Sequence, residues 1–169
     1  MQPPTGGQGE TVGIATTTVP SAVGAPLSLS APWPEGGTAG TRSTCDGDNV
    51  SPALTWTGGP EDPSAWAVVL TDLDAPAFAH WAVANIDAAA RGIPEGFADD
   101  LVAVAMNSDA KPAYTGPCPP AGSTHRYTLT VYALSQVLET ENGDPAPAMR
   151  AAIESAATES ASVSFTYSR

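Results

Sequence analysis

Apolar residues in this chain fall in short runs separated by turn chemistry and do not recur at a helical period. The runs are Leu27–Ser30, Leu54–Thr57, Trp66–Thr71, Trp81–Ile86, Leu101–Met106, Tyr127–Leu134 and Val163–Tyr167, each of strand length. Pro34-Glu-Gly-Gly37, Asp46-Gly-Asp-Asn49, Gly58-Gly-Pro60 and Pro119-Pro-Ala-Gly122 lie between them, rich in residues that set turns. The clearest strand is Tyr127–Leu134, where Tyr127, Leu129, Val131 and Ala133 share one face. Only Ala146–Ala157 has helical spacing: Met149, Ile153 and Ala156 or Ala157 share a face, and Asp144-Pro145 supplies a start. Strands and helices do not alternate, which argues against a doubly wound parallel sheet. The pattern predicts a mainly β fold, a β-sandwich or a strongly β α+β domain, with one helix in the C-terminal region. Before Leu27 only Thr11–Val19 alternates, and weakly. Residues 1–25 therefore read as a flexible leader and 26–169 as one domain without internal repeats.

Charge narrows the function. The 169 residues carry 18 Asp and Glu against 6 Lys and Arg, a formal net charge of -12. No basic stripe is available to neutralise a polyphosphate backbone, so nucleic-acid binding is excluded. No apolar run approaches the roughly 20 residues of a transmembrane helix. The first residues have neither a positive n-region nor an apolar h-region, and resemble what remains once a signal segment is removed. The expectation is an exported protein, periplasmic or in the cell envelope, a lipoprotein included; the alternative is cytoplasmic, with a natural disordered terminus. Cys45 and Cys118 bear on this. Paired, they would stabilise the fold by ~4 kcal/mol and imply an oxidising compartment; unpaired, they are two unrelated buried thiols. Sequence leaves both readings open.

Three features could carry chemistry. His80 directly precedes the strand at Trp81, His125 directly precedes Arg126 and the strand at Tyr127, and Asp72-Leu-Asp74 follows the apolar run that begins at Trp66. Taken singly, a histidine at a strand end and an Asp-x-Asp turn are most often structural.

Together with their surroundings they carry a resemblance. Cys45-Asp-Gly-Asp-Asn-Val-Ser-Pro52 leads into Leu54-Thr-Trp56; Asp72-Leu-Asp-Ala-Pro76, His80-Trp81 and Asn85-Ile86 follow. Then come Gly116-Pro-Cys-Pro-Pro120, His125-Arg-Tyr127 and Val131-Tyr-Ala-Leu134. From about Leu27 to Arg169 the chain resembles the phosphatidylethanolamine-binding protein family, whose bacterial members are often called Raf kinase inhibitor-like proteins. The resemblance implies an antiparallel β-sandwich with a small anion pocket at one end. Its pocket residues would be Asp72, His80, Pro119, His125 and Tyr127, with Tyr114, Gly116 and Cys118 close by and Trp81 bordering the ligand. The short loop between Asp74 and His80 predicts an open rim.

Imidazoles, a phenol and any free backbone N–H groups beside Gly116 and Cys118 can donate to phosphoryl or carboxyl oxygens, while Asp72 can orient an imidazole or accept from a ligand amine. The expected function is non-enzymatic binding of a small anionic or zwitterionic ligand, phosphorylated or carboxylated, such as a phospholipid head group. Binding should weaken as pH rises through histidine titration, and a partner protein would be modulated. The alternative is a protease or kinase inhibitor acting through surface loops. No cofactor or metal is expected. Zinc held by Cys45, His80, Cys118 and His125 lacks short paired ligand spacing. Ser108-Asp-Ala-Lys111 lacks the partner motifs of a serine acyl enzyme.

Overall fold

The computed structural model describes residues 24–169; the leader and the weak alternation at Thr11–Val19 lie outside the described residues. Among the described residues the fold is mainly β, with nine strands and a single α-helix near the C-terminus. A three-stranded sheet has the order β1 (Ser28–Ser30), β3 (Leu54–Thr57), β6 (Gly92–Ile93). A six-stranded sheet has the order β2 (Gly37–Thr38), β9 (Ala157–Ser168), β8 (Thr124–Leu134), β4 (Ala65–Asp72), β5 (Ala79–Ile86), β7 (Ala103–Val104). Pairing is antiparallel throughout, except that β2 runs parallel to β9, a departure from the wholly antiparallel expectation.

The central strand β4 is buried on both faces, which is why its sequence reads as a continuous apolar run. On one face Trp66, Val68 and Leu70 join Trp56, Trp81, Tyr127 and Phe165 in an aromatic-rich cluster that takes side chains from both sheets. On the other, Ala65, Ala67 and Val69 join Ala82, Ala84, Ala103 and Ala105. That small-residue floor receives α1 (Ala146–Ala156), whose Ala146, Met149, Ile153 and Ala156 are buried on one face. The helix ends where β9 begins, with no intervening loop.

Three expectations need correction. The run Leu101–Met106 yields only the two-residue β7, because Asp99 forms a turn whose carboxylate accepts the Leu101 N–H and leaves that leucine 84% exposed. The last strand starts six residues before Val163: Ala157–Ser162 carries no large apolar residue, but its backbone pairs with β8. His80 and His125 do not precede their strands; each is the second residue of one.

Candidate functional site

Three adjacent strands, β5, β4 and β8, end at the same edge of the six-stranded sheet. Asp72 closes β4 and sits opposite Tyr127 of β8. His125 lies two residues before Tyr127 and so shares its face. His80 reaches the same place by a bulge. Leu70 pairs with Trp81 and Thr71 with Ala79, leaving His80 unpaired. By strict alternation His80 would fall with Ala82 and Ala84 on the helix side; the extra residue turns its ring toward Asp72 and Tyr127.

The cluster has defined hydrogen bonds. Asp72 Oδ1 accepts the N–H groups of Asp74 (2.8 Å) and Ala75 (3.1 Å), and Oδ2 lies 2.7 Å from His125 Nδ1. Since a carboxylate only accepts, His125 Nδ1 carries the proton. His80 Nδ1 donates to the Thr115 carbonyl at 2.9 Å, which fixes the same tautomer there; its Nε2 lies 3.9 Å from Asp72 Oδ2, beyond hydrogen-bond length. Burial pushes the His80 pKa down, opposed by the Thr115 carbonyl and the Asp72 charge. The Tyr127 hydroxyl is buried without a hydrogen-bond partner, although Asp72 and the Cys118 backbone lie near it. Burial first, then the Asp72 charge, pushes its pKa well above the usual phenol value, so the hydroxyl keeps its proton.

The rim is closed, contrary to the open one expected. Asp72 and His80 are each 3% exposed and Tyr127 0%. Phe78, within the short loop, packs its ring 4.6 Å from that of His80. His125, with 18% of its side chain exposed, connects the cluster to solvent. The loop is tied down by Asp74, which accepts from the Arg126 backbone (2.7 Å) and from its guanidinium Nη2 (3.0 Å). The Arg126 side chain, with its backbone N–H, holds the Asp74 carboxyl down at about 2.

The other expected residues form a supporting wall. Tyr114 donates its hydroxyl to the Ser43 carbonyl (2.6 Å) and packs edge-on to Trp81. The Gly116 N–H donates to Asn49 Oδ1 (2.7 Å), so it is not among the free backbone donors of this segment. A Cβ at Gly116 would sit 2.0 Å from the Ser43 carbonyl oxygen, so only glycine fits. Cys118 is joined to Cys45 by a disulfide, which removes both sulfurs from the zinc set considered above. Pro119 is buried, and its carbonyl accepts from Arg169 Nη1 at 3.4 Å. Sequence reasoning missed Phe78, Thr115, Asn49 and Arg169. Of these only Asn49 carried a signal, its place inside the Cys45–Pro52 motif.

Comparison with known proteins accords with this architecture. The family model described as phosphatidylethanolamine-binding protein matches residues 30–168. The chain is 39% identical to a UPF0098 protein of Methanothermobacter thermautotrophicus over 61% of this chain and 72% of that one. It is 41% identical to YbhB of Escherichia coli K12 over 53% of this chain and 62% of that one. LppC of Mycobacterium tuberculosis H37Rv, whose name describes a candidate lipoprotein, is 35% identical over 76% of this chain and 65% of its own. Among solved structures, E. coli YbcL, described as a new member of the mammalian PEBP family, matches with a TM-score of 0.79 at 24% identity. That match covers 86% of this chain and 99% of YbcL. Two sheets, one late helix and a family match over nearly all described residues lead to one conclusion: the chain belongs to the phosphatidylethanolamine-binding protein family.

Proposed function

We propose that the protein is a non-enzymatic binding module that captures small phosphorylated or carboxylated ligands, phospholipid head groups among them, at Asp72, His80, His125 and Tyr127. One observation carries the reading: a buried tyrosine hydroxyl with no partner stands beside a carboxylate that orients a solvent-reaching histidine. Leaving a buried donor unsatisfied costs about 1–3 kcal/mol, so a ligand oxygen that accepts from Tyr127 recovers that cost on binding. The Asp72–His125 pair has the form of a catalytic dyad but needs a nucleophile to act as one. Neither Ser, Thr nor Cys donates to either His125 nitrogen among the described hydrogen bonds, which favours capture over turnover. The protein acts outside the cytoplasm: its two cysteines are joined, and one relative bears a lipoprotein name.

NMR titration of the histidine ring signals with phosphoethanolamine and inorganic phosphate tests the site. Both rings should shift along one saturating curve, lost in His125→Asn. Silence of both rings at millimolar ligand overturns the reading.

A further inference from the structure

The helix side of the six-stranded sheet carries a groove that the histidine cluster does not use. Its walls are Pro76 and Ala77 of the loop between β4 and β5, Met106 beyond β7, Pro145 before α1, and Pro147 and Ala151 on α1. The groove encloses about 700 Å³, within the roughly 300–1,000 Å³ of small-molecule sites. Proline rings fix the backbone on both sides of it, so its shape is set in advance of any occupant. Thr71 and Asp72 are neighbours on β4 and point to opposite faces. Thr71 meets Arg150 on the helix side, whereas Asp72 holds His125 on the other. The sheet thus separates Arg150 from the Asp72–His125 pair.

Arg150 gives the groove its chemistry. Arg42, Arg126 and Arg169 are each paired with carboxylates, and Arg91 lies over the Trp66 ring. Arg150, half-buried in the groove, has no carboxylate partner among the described residues; its Nη2 donates to the neutral Thr71 hydroxyl at 3.1 Å. A planar guanidinium fork matches the two oxygens of a carboxylate, and one bond to a hydroxyl leaves most of its N–H donors unspent. In a chain of net charge -12, such a cation between apolar walls is a receptor for one compact negative charge. Glu154, one turn further along α1, lines the same groove and repels a second negative charge.

We propose that this groove is a second ligand site, which takes organic monocarboxylates with a compact apolar body. The carboxylate forks onto Arg150, and the body lies against Met106 and the proline rings. Met106 is 36% exposed, and its unbranched thioether adapts to bodies of different shape. Phosphate dianions and dicarboxylates meet Glu154, and an uncharged body leaves the guanidinium unmatched.

NMR titration of the Met106 methyl signal with 4-phenylbutyrate tests the site. The signal should shift along a saturating curve. 4-Phenylbutanol, the same body without the carboxylate, should bind about tenfold or more weakly, the worth of one charge-assisted hydrogen bond. Arg150→Gln should weaken 4-phenylbutyrate by a similar factor. Ala151→Glu changes an exposed helix position, leaves the core untouched and sets a negative charge in the groove; it should abolish the shift. Inorganic phosphate should leave Met106 unmoved whatever it does at the histidine rings, so the two sites stand or fall separately. A still Met106 signal at millimolar 4-phenylbutyrate, equal binding of the alcohol, or an unchanged titration in Ala151→Glu overturns the proposal. A Met106 signal that moves with protein concentration alone assigns the groove to a second copy of the chain and overturns it too.

Discussion

The two faces of the six-stranded sheet solve the same packing problem in opposite ways. One face carries Trp66, Trp81 and Tyr127 and meets side chains of the small sheet; the other is paved with alanines and meets α1. Large side chains fill the roughly 10 Å between packed sheets, whereas a floor of methyl groups lets a helix settle close to the strands. The faces also end differently. The aromatic face terminates in Asp72, His80 and Tyr127, while the alanine face terminates where Arg150 Nη2 donates to Thr71 Oγ1 at 3.1 Å. The difference teaches that the polar cluster belongs to the side lined by large rings, where the His80 ring meets that of Tyr127 edge-on.

Truncation on the aromatic face should have the largest effect. Trp66 is fully buried, packs 5.6 Å from Trp56 and supports Arg91 over its ring. Trp66→Ala should lose about 3–5 kcal/mol in urea denaturation. A loss below about 1 kcal/mol would mean that this face is not tightly packed. The alanine face should fail in the opposite sense. Ala84→Leu inserts volume beneath α1 and should cost about 1–3 kcal/mol by overpacking, whereas a neutral result would place the helix farther from the sheet than described.

The smallest effect is expected at the polar end. The folded-state pKa of His80 lies below the unfolded value of 6.5, so the unfolded chain binds more protons as pH falls. His80 should therefore contribute stability that is full above pH 6.5 and lost as pH falls through its folded pKa. Denaturation midpoints between pH 7.5 and about 5 should decline less steeply in His80→Gln than in the parent. Parallel curves would show that burial does not set this ring's protonation.

Much of the frame was legible because large apolar residues announce it. The continuous run at Trp66 and the alternation from Tyr127 read directly as β4 and β8, and the 3.6-residue spacing of Met149, Ile153 and Ala156 as α1. The early half of β9 was hidden, since Ala, Ser, Thr and Glu there pair through backbone bonds that leave no apolar signature. The two-residue strands β2 and β6 were missed for a similar reason; each is built partly on glycine and held by a neighbour's edge. In the site, Asp72, His80, His125 and Tyr127 stood out through their motifs. Phe78 over His80 and Asn49 on Gly116 did not, because such contacts depend on how distant loops meet. The closed rim was illegible on the same ground: loop length set the expectation of openness, and one aromatic ring decided the outcome.

The unpaired residue in β5 also bears on inheritance. His80 faces Asp72 because one residue there has no partner in the ladder. Deleting a single codon, that of Ala79, would let the ladder close without a gap and return the histidine to the helix side, while Trp81, Val83 and Ile86 keep their places in the core. A lineage could thus shed the histidine pair in one step and retain a folded scaffold, so that presence of the fold in a descendant is no guarantee of the Asp72, His80 and His125 cluster.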